Sequence, residues 1–274
     1  MRIAEFYAGI GGLSAALPSG LPAAVVVLAA EQSREALDTY QRNFPGTRSL
    51  KINLEHLTVK QLTELGADTW WLSPPCQPYT VKGIGRDLDD PRAASLRRLM
   101  SLLSESGTAM RPENIWLENV LGFRGSRAQT ELFRLLTELG YSVRETAVCP
   151  TKIGIPTRRP RYYLAASRRM PPGLPEWPCA EARTKRELNE FVIPACDQDP
   201  SLYLSSDVLA RFGPGLRILD RNDPAAYTTC FTSSYGGALM RSGSYLRTGQ
   251  GTGVRRFAPE EILRLLQFPP DFEF

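Results

Sequence analysis

The stretch Ile3-Ala4-Glu5-Phe6-Tyr7-Ala8-Gly9-Ile10-Gly11-Gly12-Leu13-Ser14-Ala15-Ala16-Leu17 decides how the chain is read. Residues 3–7 are apolar and suited to a strand, 8–12 form a glycine turn, and 13–17 begin a helical pattern. A strand that runs through glycines into a helix lets the backbone approach a ligand closely at the helix end. The spacing is Gly-x-Gly-Gly, without the further glycine of a pyrophosphate fingerprint, so a nucleoside cofactor without phosphates suits it better than a dinucleotide. Residues 23–30 read as a second, buried strand. Glu31 follows about 20 residues after the turn, where an acid reaches ribose hydroxyls. Taken alone, turn and acid are equally a structural bend and a surface carboxylate.

Outward from there, Ser33 caps a helix running to Phe44, which Pro45-Gly46 closes. A third strand over 50–54 leaves Asn53 at the same sheet edge, facing an adenine base or solvent. A helix over 59–65 leads to Thr69-Trp70-Trp71-Leu72-Ser73-Pro74-Pro75-Cys76-Gln77-Pro78-Tyr79-Thr80. There the prolines, with φ fixed and no donor N–H, stop an apolar strand and hold one cysteine at its carboxyl end. A lone cysteine is as a rule a buried filler, so its neighbours must decide. Gly83, Ile84, Gly85 and residues 87–90 form a polar loop able to close over a substrate, ahead of a helix over 91–106. Residues 115–117 are a fifth strand that delivers Glu118-Asn119-Val120, and a carboxyl leaving a buried strand is costly unless paired or used. A helix over 127–139, a strand over 141–149, an arginine-bearing loop over 154–161 and a strand over 162–166 follow. Such alternation predicts an α/β fold with a doubly wound, mostly parallel sheet.

Beyond Ser167 the alternation stops. Pro171, Pro172, Pro175 and Pro178 read as a linker, and glycine-rich stretches surround Tyr235-Gly236-Gly237 and Ser242-Gly243-Ser244. A small second domain is expected at 168–253, with 1–167 and 254–274 forming the main one. Near the end, Pro259, Glu260 and Glu261 open an amphipathic helix with Ile262, Leu265 and Leu266 on one face, stopped by Pro269-Pro270.

With 274 residues, 42% hydrophobic and 23% charged, the chain can bury one sizeable core and a smaller one. It shows no leader pattern and no apolar run of about 18 residues, which predicts an intracellular protein, cytoplasmic with the nucleus as an alternative. Cys76, Cys149, Cys179, Cys196 and Cys230 are odd in number and scattered, which argues against a disulfide framework or a zinc knuckle. With His56 the only histidine, a multi-histidine metal site is excluded, and no metal is expected. A net charge of +4 permits a polyanionic partner without requiring one. Arginines cluster at Arg158, Arg159 and Arg161, at Arg168 and Arg169, and at Arg255 and Arg256, and a solvated face is the ordinary reading of such runs.

The ordered motifs Phe6-Tyr7-Ala8-Gly9-Ile10-Gly11-Gly12, Ser73-Pro74-Pro75-Cys76-Gln77-Pro78, Glu118-Asn119-Val120 and Arg159-x-Arg161 resemble the cytosine-5 methyltransferase family over most of the chain. Residues 73–80, Gly154-Ile155-Pro156, and Cys230-Phe231-Thr232 followed by Tyr235-Gly236 and Gly243-Ser244 are similar to its branch that methylates transfer RNA at cytosine 38 of the anticodon loop of the tRNA for aspartate. The resemblance implies a Rossmann-like, S-adenosylmethionine-dependent methyltransferase with a small target-recognition domain. It implies S-adenosylmethionine contacts at Phe6, Ala8, Gly9, Ile10, Gly11, Gly12, Glu31, Asn53 and Pro75. Substrate contacts are implied at Gln77, Tyr79, Thr80, Asn119, Val120, Cys230, Phe231, Thr232 and Tyr235, with Asn119 also bracing the cysteine loop. In the implied chemistry Cys76 adds to carbon 6 of the ring, Glu118 protonates ring nitrogen 3, and Arg161 with Arg159 binds the ring oxygen and orients Glu118. The base must be flipped out or already unpaired, as in an anticodon loop. Phe231, Tyr235 and Tyr245, with Arg241 and Arg247, either contact bases or, for the aromatics, form the small domain's core. A DNA methyltransferase and a non-catalytic nucleic-acid binder are the alternatives. Two departures stand out: Thr157-Arg158 where the DNA enzymes favour glutamine, and no Gly-Asn-Ser motif or final helix before Phe274, so that either the sequence is truncated there or something else covers the cofactor pocket.

Overall fold

A computed structural model of the protein describes residues 1–64, 66–80, 86–169, 184–248 and 253–274. The linker prolines and the loop residues Gly83, Ile84 and Gly85 lie outside these. The described chain forms two compact units, one of residues 1–148, 161–169 and Glu273, the other of residues 149–160, 184–272 and Phe274.

The first unit contains β1 (Arg2–Phe6), α1 (Gly12–Gly20), β2 (Val25–Glu31), α2 (Arg34–Asn43), β3 (Ser49–Lys51), α3 (Val59–Thr63), β4 (Thr69–Leu72), α4 (Ala94–Glu105), β5 (Asn114–Val120), α5 (Arg127–Glu138) and β6 (Ser142–Val148). The short β7 (Thr157–Arg158) belongs to the second unit, and β8 (Arg161–Ser167) returns to the first. The seven-stranded sheet has the order β3-β2-β1-β4-β5-β8-β6. It is parallel from β3 to β5, and β8 runs antiparallel to both neighbours. The predicted doubly wound sheet is thus present, with β8 inserted between β5 and β6.

Local chemistry sets the helix starts. Ser33 caps α2 by accepting from the Ala36 amide at 3.3 Å, and Thr58 and Gln61 form a reciprocal capping box at α3. The predicted third strand is cut short at Lys51, because Asn53 Oδ1 accepts from the Glu55 amide at 3.1 Å and winds the chain into a turn. Period-two alternation splits the strands between two faces, and a bulge in β2, where Ile3 pairs Val26 and Ala4 pairs Leu28, puts Val26 and Leu28 on opposite ones. Ala4, Phe6, Leu28, Trp70, Leu72, Ile115 and Leu117 point to one core, closed by Leu96, Leu99 and Leu103 of α4 and Leu132 and Leu136 of α5. Ile3, Val26, Trp71 and Trp116 point to the other, against Leu17 of α1. An apolar cleft of about 370 Å³ on that second face is lined by Leu13, Leu17, Leu21, Trp71, Trp116 and Tyr163. It has almost no polar lining for hydrogen bonding. No described helix is long and apolar enough to cross a membrane.

In the second unit, α6 (Ser206–Phe212), β9 (Ile218–Leu219), β10 (Thr228–Thr229), β11 (Tyr245–Arg247), β12 (Val254–Arg256) and α7 (Pro259–Leu265) surround Leu188, Phe191, Leu246, Phe257 and Leu265. Residues 254–272, expected with the main domain, belong here, as do 149–160. The reason is a buried charge cluster. Arg255 and Glu261 are both fully buried and pair bidentately at 2.8 Å, and Arg255 Nε also bonds Asp197 at 2.7 Å. Glu261 further accepts the amides of Ile193 and Ala258 at 2.9 Å, and Asp197 accepts from Arg221 at 2.8 Å. Arg255 is therefore no solvated cation, Glu261 is a core ligand for that cation, and Leu266, expected on the apolar face of α7, is exposed. Glu261→Ala should lower the stability of this unit by about 3–5 kcal/mol, since it strands a buried guanidinium and two amides. Asp197→Ala should cost less, because that carboxylate is partly solvated. Urea denaturation of the two variants checks the ranking.

Candidate active site

Strand order reverses between β1 and β4, and parallel sheets bind ligands at such points. Phe6 and Leu72 are in register, so the glycine turn and the cysteine loop leave the sheet side by side. Tyr7 takes a left-handed conformation with φ 60°, a strained value for a bulky residue. Gly11 has φ 95°, and a Cβ there would lie 2.4 Å from the Phe44 ring, so glycine is required for packing. Gly9 and Gly12 are different: a Cβ at either meets nothing within 4 Å, which leaves open space over the turn.

Glu31, at the end of β2, accepts the amides of Gly9 at 2.9 Å, Gln32 at 2.7 Å and Ser33 at 2.8 Å. It ties the turn to the neighbouring strand. An ionised carboxylate has about four acceptor positions, so three amides leave one for a ribose hydroxyl. The open turn and this remaining acceptor fit a nucleoside. Of the other residues implied for the cofactor, Ile10 and Pro75 are partly exposed, Ala8 is buried, and Asn53 caps its own turn. Phe6 is fully buried edge-on against Trp70 at 5.4 Å, so it presents no open ring.

Cys76 is partly exposed at the start of a single turn, where its carbonyl accepts from the Tyr79 amide at 3.0 Å. Two side chains hold the loop. Ser73 Oγ donates to the Tyr7 carbonyl at 3.1 Å, and Asn119 Nδ2 donates to the Pro74 carbonyl at 3.0 Å. Asn119 is 2% exposed and its Oδ1 accepts from the Val120 amide at 2.8 Å, so it braces the loop and has no edge for substrate. Tyr79 is likewise buried, its ring 4.8 Å from that of Phe123, and it packs beneath the loop. Gln77 is exposed, and Thr80 Oγ1 bonds the Gln77 carbonyl at 3.2 Å.

Glu118 emerges one residue beyond the last β4–β5 pair, and its Oε1 lies 3.0 Å from Arg161 Nε on β8. Arg159 sits in the second unit, where Nη1 donates to Cys230 Sγ at 3.0 Å. The two arginines therefore serve different partners, although sequence grouped them. In the same unit Phe231 and Tyr235 stack at 4.8 Å, Phe231 and Phe257 at 5.4 Å, and Tyr235 donates to the Ser244 carbonyl at 2.7 Å. Tyr245 is fully buried, while Phe231 and Tyr235 are partly exposed and pack against the core of this unit. Thr232 Oγ1 is bonded to Ser234 Oγ at 2.8 Å.

Two features escaped the sequence reading. Asp90, taken as part of a mobile acidic loop, is buried and clamps Arg92 through bonds of 2.8 and 2.7 Å. Arg92 lowers the Asp90 carboxyl to about 2. In turn Asp90 raises the affinity of the Arg92 guanidinium for its proton. Asp87 is also anchored, accepting the first amides of α5 at 2.6 and 3.1 Å. The second feature is Glu5, buried in β1 with Ser14 Oγ at 2.8 Å and Tyr40 hydroxyl at 3.2 Å. An acid inside an apolar strand was the available signal.

Burial pushes the Glu5 carboxyl up from 4.5 to about 7 against the opposing hydrogen bonds. The folded state thus binds more protons than the unfolded one between those values, and stability falls as pH rises through that window. The loss should reach about 3 kcal/mol by pH 8, and Glu5→Gln should flatten that slope in urea titrations between pH 5 and 8. Asn119→Ala should cost about 1–3 kcal/mol, from the orphaned Pro74 carbonyl and Val120 amide. Urea denaturation of the variant checks that loss.

The C-5 cytosine-specific DNA methylase family matches residues 1–199. The chain is 28% identical to the Homo sapiens tRNA (cytosine(38)-C(5))-methyltransferase, over 100% of this chain and 91% of that protein. Among solved structures, the Entamoeba histolytica methyltransferase EhMeth superposes with a TM-score of 0.86 at 26% identity, covering 100% of this chain and 88% of its own. The S. pombe Dnmt2 methyltransferase gives 0.85 at 26%, covering 100% and 89%. With that match, and with the glycine turn, the cysteine loop and the Glu118–Arg161 pair gathered along one edge of a doubly wound sheet, the protein belongs to the C-5 cytosine-specific DNA methylase family.

Proposed function

We propose that this cytosine-5 methyltransferase acts on transfer RNA, moving a methyl group from S-adenosylmethionine to carbon 5 of cytosine 38 in the anticodon loop of the tRNA for aspartate. The observation that carries the reading is the bond from Asn119 to the Pro74 carbonyl, which couples the strand end bearing Glu118 to the loop bearing Cys76. Similarity along the whole chain to a protein named for tRNA cytosine-38 methylation supplies the substrate class.

Carbon 5 of cytosine is a weak nucleophile. Addition of the Cys76 thiolate to carbon 6 turns the ring into an enamine and moves electron density onto carbon 5. Glu118, held by Arg161, faces ring nitrogen 3 and the exocyclic amine and exchanges a proton there as ring charge develops. S-adenosylmethionine supplies the electrophilic methyl group when bound, with Gly9 and Gly12 leaving it room and Glu31 accepting from its ribose. After methylation, loss of the carbon 5 proton lets the Cys76 sulfur leave and restores the aromatic ring. An unpaired anticodon-loop cytosine avoids most of the unstacking cost that a duplex imposes.

Transfer of labelled methyl groups to tRNA and to duplex DNA tests the reading. Incorporation should favour tRNA, fall to background with Cys76→Ala, and drop by about 100- to 10,000-fold in kcat with Glu118→Gln. Preference for duplex DNA would make the protein a DNA enzyme, and incorporation that survives Cys76→Ala would remove the nucleophile from this account.

A further inference from the structure

The arginines and aromatics of the second unit are mostly committed to its own packing. Arg186, Arg221 and Arg255 are paired with carboxylates, and the rings of Phe231, Tyr235 and the buried Tyr245 pack on one another. Tyr227 is an exception. β7 and β10 pair Thr157 with Thr228 and Arg158 with Thr229. Thr157 and Thr228 are buried, with their hydroxyls 2.8 Å apart, so alternation turns Arg158, Thr229 and Tyr227 to the opposite face. There the exposed Arg158 stands opposite Thr229, on the face that carries Tyr227. The Arg217 guanidinium lies 4.3 Å from the Tyr227 ring centroid, and its Nε and Nη2 hold the Tyr227 carbonyl at 3.3 and 3.1 Å. Among the described residues neither Arg158 nor Arg217 has a carboxylate partner.

The result is a partly exposed ring, fixed by a bonded ladder beneath it and flanked by two cations that no acid among the described residues neutralises. An acidic protein partner would use the charges and leave the ring idle. A nucleotide with an unpaired base uses both, the base on an aromatic or guanidinium plane and the phosphate on the cation.

We propose that Tyr227, clasped by Arg158 and Arg217, is a stacking platform for an unpaired base of the RNA substrate, with the guanidinium groups meeting the adjoining phosphates. This rests on the tRNA reading above and adds a specificity surface to it. It is distinct from Cys230, Phe231, Thr232 and Tyr235, to which sequence assigned that role.

The test is fluorescence anisotropy of the full chain with a labelled RNA stem-loop and with a fully paired RNA duplex of equal length, together with methyl-transfer kinetics on tRNA. Tyr227→Ala should weaken stem-loop binding about ten-fold and raise KM for tRNA with kcat unchanged. Tyr227→Phe should bind within about two-fold of wild type, since the ring stacks without its hydroxyl. Arg158→Gln and Arg217→Gln should each reduce the slope of log affinity against log salt by about 0.7–0.9. Tyr227→Leu keeps bulk without a π-face, so if the alanine variant is unfolded by circular dichroism, loss with Leu and retention with Phe still support stacking. Equal weakening of stem-loop and duplex by Tyr227→Ala, or none, overturns the platform. A wild-type chain that methylates tRNA yet is indifferent to Tyr227 rejects the platform alone. One that neither binds the stem-loop nor methylates tRNA rejects the tRNA reading with it.

Discussion

Residues 73–80 have no strand partner, and their place depends on two hydrogen bonds made by neighbouring strand ends. Ser73 reaches the Tyr7 carbonyl beside β1, and Asn119 reaches the Pro74 carbonyl from β5. Each bond is worth about 1 kcal/mol net, yet breaking the buried one strands polar groups at a larger cost. Both exist only because β4 lies between β1 and β5 in the sheet. The strand-order reversal at β1 and β4 is therefore the constraint from which the site follows: it opens the sheet edge, places the glycine turn beside the cysteine loop, and lets Glu118 emerge next to both.

Charge is handled in the same manner throughout. Glu31 is spent on three backbone amides, Asp90 on Arg92, Glu118 on Arg161, and Glu261 on Arg255. Burial decides what each pair does. Arg255 and Glu261, out of water entirely, lock α7 to β12 and set the composition of the second unit. Arg161 and Glu118, with side chains 14% and 21% exposed, are ordered but still reachable, which is what a group that meets a substrate requires. Arg158 and Arg217 stand at the far end of this range, organised around an aromatic ring and lacking an acid among the described residues.

The tight sequence punctuation of the first unit explains why so much of it was legible. Prolines at 74 and 75 end β4, glycines mark the turn after β1, and Ser33, Thr58 and Ser126 mark helix starts through bonds made within one turn. The second unit has strands of two or three residues, too short for a period to register, and its turns are fixed by partners far along the chain. That is why α7 was assigned to the wrong unit.

By itself the sequence determined the doubly wound sheet, the glycine turn, the cysteine at a strand end and the chemistry those residue types can perform. These depend on steric and hydrogen-bonding rules that act over a few residues. Only the tertiary structure decided which arginine holds Glu118, which groups Asn119 bonds as a brace, that Arg255 is buried while Arg158 is open, and that the Arg217 guanidinium lies over the Tyr227 ring. A side chain's partner and its exposure depend on residues tens of positions away, and no local pattern encodes them.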